Sequence, residues 1–288
     1  MASGEPCFAT ASTVRRWILV EQPGGWGADA LNQSRLAPGT ATALSAIARK
    51  VGARVLLIRA PGRSQPARRR CYVAVTTTNV RRIERFDLDD PTELLALEWA
   101  SLARNEPVGG DLVEEPIYLV CTHGRHDPDC AILGRPLAAA LQEQYGERVW
   151  EASHYGGDRF AGNLVCLPHG LYYGRVSAVT GPQVAAAYES GQLDLEHLRG
   201  RSCYSFGVQA TEYFARRQEG LTGVDDLHLE AVEDLGAAVT RATFTDPRGH
   251  RLAVTVQSLV DSAPRLLTCH STVPEIPPRY QLVDYSNG

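Results

Sequence analysis

The chain has 288 residues, 44% of them hydrophobic, and a formal net charge of −4 at pH 7. Its length allows two domains, or one large domain with additions, and its weakly acidic balance excludes a global drive toward nucleic acid or anionic membrane. No apolar run approaches the ~18 residues of a transmembrane helix, and MASGEPCFATASTVRR lacks the charged-then-apolar order of a secretory signal, so the expectation is a cytoplasmic protein with neither nucleic acid nor membrane as partner.

The first hundred residues alternate between strand and helix patterns. RRWILVEQ (15–22) is a strand, and PGGWGADALNQSRL supplies a turn and a short helix. TATALSAIARKVG is a helix ended by Gly52, and ARVLLIRA is a strand. CYVAVTTT and VRRIERFDL form two strands, a hairpin around Asn79. PTELLALEWASLARN is a helix with Pro91 at its start. The polar stretch NEPVGGDLVEEP (105–116) reads as a linker.

A compact second unit follows. PIYLVC is a buried strand, AILGRPLAAALQEQYG a helix closed by Gly146, and RVWEASH a strand. GNLVCLPHGLYYGRV gives two short strands around Pro168-His169-Gly170, and TGPQVAAAYESGQL a helix with Thr180 as N-cap. Strand, helix, strand, hairpin, helix is the minimal order of a thioredoxin-like sheet. The last hundred residues give a helix, SFGVQATEYFARRQ, a hairpin turning at Asp246-Pro247-Arg248-Gly249, and a proline-rich surface tail, VPEIPPRYQLVDYSNG. The predicted fold class is therefore α/β (α+β): an N-terminal α/β lobe (1–112), a thioredoxin-like domain (113–192), and a C-terminal helix and β-hairpin extension (193–288). No internal repeat is visible.

Lys50 is the sole lysine among 29 basic residues. A GC-rich genome accounts for that bias, but RSQPARRR (63–70) could form an electropositive loop, and arginine forks suit carboxylates or phosphates. The seven cysteines include no C-x-x-C pair, which speaks against a zinc ribbon and a thiol–disulfide oxidoreductase.

The chemistry concentrates in CTHGRHDPDC (121–130) and SHYGGDRFAGN (153–163). Cys121 ends a strand and Cys130 starts the next helix. His154 lies just past the second strand, with Asp158 four residues on. In a thioredoxin-like sheet these loops converge on one edge, so two thiolates, an imidazole and a carboxylate could surround one centre. Two thiolates favour a single zinc or a [2Fe–2S] cluster. Zinc usually has tight knuckles, whereas this open loop could wrap a larger object, and Gly156 and Gly157 permit close backbone approach. Mixed Cys and His ligation of a [2Fe–2S] cluster has a precedent in Rieske centres.

With CTHGRHDPDC, VWEASHYGGDRFAGN, LPHGLYYGRV and, more weakly, RRWILVEQPGGWGADAL and LRGRSCYSFGVQATEYF, the chain resembles the sucrase/ferredoxin-like family, a branch of the thioredoxin-like [2Fe–2S] ferredoxins. The resemblance implies a cluster held by two cysteines and by the two histidines of an H-x-G-G-H motif. Cys121, Cys130 and His154 match that set, and Asp158 stands in place of the second histidine. Asp158 is thus the expected fourth metal ligand, with His123, His126, Cys166 and water as rivals. A carboxylate there adds one negative charge, which lowers the potential below that of a bis-histidine centre. His123, His126, Gly156 and Gly157 are candidates to support the centre without binding metal. Each of these residues also has a plain structural role open to it: buried thiol, hydrogen-bonded histidine, turn cap or solvated loop. Cys166, Trp150, Tyr172 and Tyr173 read as core, and His169 as a solvated turn residue.

One-electron transfer is the leading functional expectation. A ferredoxin needs only the compact unit, so the flanking lobes suggest a dedicated substrate or partner. A ferric chelate such as a siderophore, reduced to release Fe(II), fits a cluster reductant with arginine-rich loops, as would an iron–sulfur oxidoreductase acting on a redox protein. A cluster-based redox or iron sensor and a metal-free thiol oxidoreductase are the alternatives. No G-x-G-x-x-G or Walker motif occurs, so electrons must come from an external donor, a reductase or another ferredoxin.

Overall fold

The computed structural model describes residues 5–62, 66–260, 264 and 273–288. The first half comprises β1 (Arg16–Glu21), α1 (Thr40–Val51), β2 (Arg54–Arg59), β3 (Arg69–Thr76), β4 (Arg81–Leu88), α2 (Trp99–Ala103) and β5 (Asp111–Leu112). The second comprises β6 (Ile117–Cys121), α3 (Pro128–Tyr145), β7 (Val149–Ala152), β8 (Leu164–Leu167), β9 (Leu171–Tyr173), α4 (Gly181–Glu189) and β10 (Leu198–Arg201). These strands form one ten-stranded mixed sheet in the order β10-β9-β8-β6-β7-β2-β1-β3-β4-β5. The fold class is α+β, and the second half has the thioredoxin-like strand order expected from sequence.

The halves share one topology. β1 is parallel to β2 and antiparallel to β3, which pairs antiparallel with β4, and β4 with β5. β6 is likewise parallel to β7 and antiparallel to β8, followed by β9 and β10. In each half a helix bridges the parallel pair. This repeat is invisible in sequence because it lies in strand order and direction, which many apolar patterns satisfy.

The two half-sheets meet through β2 and β7, which pair antiparallel over Ile58–Ala152 and Arg59–Glu151. Both pairs lie at the C-terminal ends of their strands. One register row therefore crosses the seam: Glu21, Ile58, Ala152 and Cys121. Glu21 ends β1 as Cys121 ends β6, so the loops after β1 and β6 face each other.

Alternate residues of each strand fill two cores. Tyr118 and Val120 of β6 pack under Leu137 and Leu141 of α3 and Val184 of α4, and Ile18 and Val20 of β1 under Leu44 of α1. The opposite face curls upon itself, so Trp17 of β1 meets Tyr172 of β9 at 6.2 Å and Tyr72 meets Trp150 at 5.7 Å between ring centroids. Trp150, Tyr172 and Tyr173 are core residues, as expected. Each such buried ring contributes about 1.5–3 kcal/mol relative to exposure.

A smaller sheet follows, β11 (His228–Asp234), β12 (Val239–Thr245), β13 (Arg251–Val260) and β14 (Pro278–Asn287), packed under α5 (Phe206–Glu219). Glu212 of α5 holds both Arg201 at the end of β10 and Arg216, at 3.4 and 3.0 Å, and all three are buried.

Several local expectations need correction. The sequence 22–39 forms turns, not a short helix, and the Asp29 carboxylate binds the backbone and side chain of Asn32 within it. The helix predicted from Pro91 divides at Leu97 into a 3-10 turn (Pro91–Ala96) and α2. The 105–116 linker contains β5, paired with β4. The extension (193–288) holds five strands rather than a hairpin, β10 in the large sheet and β11–β14 in the small one, and the tail supplies β14, whose one proline, Pro278, stands at its first position. Arg63, Ser64 and Gln65 of the basic cluster, and Cys269, lie outside the described residues.

His169 is not solvated. Its Nδ1 lies 2.5 Å from the Tyr188 hydroxyl, and burial, helped by Arg81 and Arg201, pushes its pKa down to about 4 from 6.5. The unfolded chain takes up this proton first, so the ring's contribution to stability is complete above about pH 6.5 and is lost as pH falls toward about 4. The loss is up to about 3 kcal/mol. Urea titrations of wild type and His169→Gln check this: the variant should show a shallower fall in stability across that window, and parallel curves would contradict it.

Candidate metal centre

Cys121 and Cys130 are brought together by a strand end and a helix start. Asp127 caps α3, accepting from the Asp129 N–H at 2.9 Å, and Pro128 takes the first position, where no N–H is needed. That places Cys130 in the first turn. A Cβ on Gly134 would lie 2.0 Å from the Cys121 carbonyl oxygen, so α3 rests directly on the end of β6. Sequence reading passed over this glycine, which sits in an ordinary helical pattern. Tyr155 clamps the other side: its hydroxyl accepts from the Cys121 N–H at 3.1 Å and donates to the Asn163 carbonyl at 2.7 Å. Both thiols are buried.

His154 stands between two kinds of donor. Its Nδ1 is 3.9 Å from Cys121 Sγ, and its Nε2 is 2.9 Å from Asp158 Oδ1. The donor atoms of Cys121, Cys130 and His154 lie within 4.8 Å of one another. A second group, His126, His154 and Asp158, satisfies the same limit. The four residues expected from sequence thus form a chain of donors through His154, and Asp158 lies on the nitrogen side rather than among the sulfurs. His126 stacks on His154 with ring centroids 3.9 Å apart, and its Nε2 is 3.9 Å from Asp158 Oδ2. Cys166 belongs to the opposite face of the sheet, under α3 and α4, and is no rival ligand.

The ionisable groups are strongly coupled. Burial disfavours charge on His154, but hydrogen bonds to Asp158 and Cys130 outweigh it and raise its pKa to about 9. Asp158 is held below the ordinary carboxylate range: burial opposes this, and His154 overcomes it. The Cys130 thiol is pushed well up by its hydrogen bond to Cys121 and by burial.

His123 ties the two facing loops together. Its Nδ1 accepts from the His154 N–H at 3.3 Å, which leaves Nε2 to donate to the Gly27 carbonyl at 2.6 Å. Its ring meets Trp26 edge to face. The loop after β1, which carries no thiol, therefore forms a wall of the centre.

The segment between His154 and Asp158 is shaped by a residue the sequence reading missed. Arg199 of β10 is buried and has no carboxylate partner among the described residues; it donates to the Gly156 carbonyl at 3.0 Å and to Asn163 Oδ1 at 2.7 Å. Gly157 has φ +89°, and a Cβ there would lie 2.3 Å from the guanidinium. Gly157 is thus required by Arg199, while the Gly156 N–H points at His154 Nε2 at 3.0 Å. Nothing in LRGR signals this role. Burial pushes the Arg199 pKa down to about 10, and its charge sits behind the ligand loop.

The chain belongs to the sucrase/ferredoxin-like family, whose description it matches over residues 7–200, about two thirds of its length. That span takes in all but the last residue of the ten-stranded sheet, and every residue of the candidate centre. A search of the curated proteins finds no match, and a search of the solved structures finds none either.

Gly134 offers a direct test of how the cysteines are placed. Gly134→Ala must push α3 off the Cys121 carbonyl and should cost about 1–3 kcal/mol. Thermal unfolding of the variant checks this, with Gln218→Ala, an exposed substitution on α5, as a reference for changes outside the centre.

Proposed function

We propose that this protein is a one-electron carrier whose [2Fe–2S] cluster is held by Cys121, Cys130, His154 and Asp158, and that it acts as an oxidoreductase toward ferric chelates of the siderophore type. The observation that carries the reading is the split of the donor set. Two buried thiols lie at one end, an imidazole and a carboxylate at the other, and His154 belongs to both groups. A structural zinc calls for four protein donors converging on one point, whereas the mutually close groups among the described residues have three each. A binuclear centre with one sulfur-ligated and one nitrogen- or oxygen-ligated iron suits this asymmetry. When bound, the cluster supplies the capacity to take up and release one electron.

The residues around it have separable tasks. Gly134 and Tyr155 fix the backbone of Cys121. His123 and Arg199 fix the loop that carries His154 and Asp158. The cysteine end is deep, while the His126 side chain is 40% exposed and that of His154 18%, so electrons enter or leave at the histidine end. An external reductase or ferredoxin supplies them. The hydrogen bond to Cys121 and burial raise the Cys130 pKa, which speaks against Cys130 as the nucleophile of a metal-free thiol enzyme. Reducing Fe(III) to Fe(II) weakens a carboxylate- or catecholate-type chelate and releases the metal.

Two measurements test the reading separately. Asp158→Ala should alter the visible absorption and EPR spectra, and unchanged spectra would exclude the carboxylate as a ligand. Anaerobic mixing of dithionite-reduced protein with ferric chelates should restore the oxidised spectrum within seconds, and no reoxidation would overturn the assigned acceptor.

A further inference from the structure

Two of the three described arginines of the basic cluster are paired with carboxylates. Arg68 pairs with Asp89, and Arg70 with Glu147. Unbalanced positive charge lies elsewhere, beside the cysteine loop. Two adjoining clefts, of about 520 and about 710 Å³, share Arg59 of β2 and Arg135 of α3 among their walls. Arg125, from the loop between the two cysteines, lines the smaller one.

Three guanidiniums thus surround one trough against a single lining carboxylate, Glu151. That carboxylate is already engaged, by Arg59 at 2.6 Å and by the Thr122 hydroxyl at 3.0 Å. Arg59 is also fixed by the Gly24 carbonyl at 2.7 Å and lies 4.3 Å over the Trp26 ring. Arg125 and Arg135 are exposed and have no ion pair among the described residues. Ile132, 65% exposed, adds an apolar wall between them. A rigid fork, two unengaged forks and an apolar wall in a concave site are the features that recognise a compact polyanion.

We infer that this trough binds a small polycarboxylate and so seats the anionic electron acceptor against the Cys121–Cys130 loop. Carboxylate binding stands on the trough alone, while the acceptor's part rests on the electron-transfer reading above. Thr122, His123, Gly124 and Arg125 of that loop line the smaller cleft, so a molecule lying there touches the chain segment that runs directly into His126, at the exposed histidine end.

The test is isothermal titration of the full chain with iron-free citrate, and separately with inorganic pyrophosphate. Citrate should bind with an affinity that falls as salt is raised. Arg125→Ala and Arg135→Ala should each weaken it about tenfold, or ~1.4 kcal/mol. Arg217→Ala, an exposed arginine on α5, should leave it unchanged. No citrate heat at millimolar concentration, or equal affinity in all variants, would overturn the site. Pyrophosphate binding without citrate binding would overturn its assignment to carboxylates. Because the probe carries no iron and the signal is heat, protein that binds citrate but contains no cluster would sink the electron-transfer reading and leave the trough. Slower reoxidation by ferric citrate in Arg125→Ala and Arg135→Ala, with unaltered cluster spectra, would support the acceptor's seat. Unchanged rates would remove it.

Discussion

Two residue pairs, Ile58–Ala152 and Arg59–Glu151, join the half-sheets, and the centre depends on where they fall. Had β2 and β7 overlapped along their full lengths, antiparallel pairing would have sent the loops after β1 and β6 to opposite ends of the sheet. Overlap at the C-terminal ends alone brings those loops face to face. The loop after β6 brings the thiols. The loop after β1 brings Gly27 and Trp26 against His123. The same seam places Arg59 and Glu151 in the wall of the basic trough. One half thus supplies the thiols, His154 and Asp158 while its topological counterpart supplies enclosure, with Glu21 standing where the other half has Cys121.

Burial then sets the electrostatics. Paired thiols, a hydrogen-bonded imidazole and a carboxylate would each resist ionisation alone. Coupling decides their states: Asp158 sustains charge on His154, and His154 sustains it on Asp158. Arg199 adds a buried cation behind the same loop, with carbonyl and amide oxygens as partners. In the proposed centre, this fixed positive charge would offset the negative charge of two thiolates and an aspartate and favour uptake of an electron.

Much of this was legible in the sequence because it rests on local chemistry. The thiols at a strand end and a helix start and the Gly-Gly after His154 announce themselves. The strand directions of the second half follow from short connections and a single crossover helix. What escaped reading acts through space. Gly134 looks like a helix residue of indifferent propensity until Cys121 is seen beneath it. Arg199 and Arg201 break the apolar pattern of β10, so that strand was missed. The doubled topology left no trace because two half-sheets need only apolar strands in the same order. The sequence placed Asp158 near His154, but not on the far nitrogen of that ring from the sulfurs.

The account stands on the identity of what the two cysteines and His154 hold. Iron, zinc and acid-labile sulfide measured together on anaerobically purified protein test this most directly. About two irons and about two sulfides per chain are predicted. About one zinc with no sulfide, or no bound metal at all, would contradict the account.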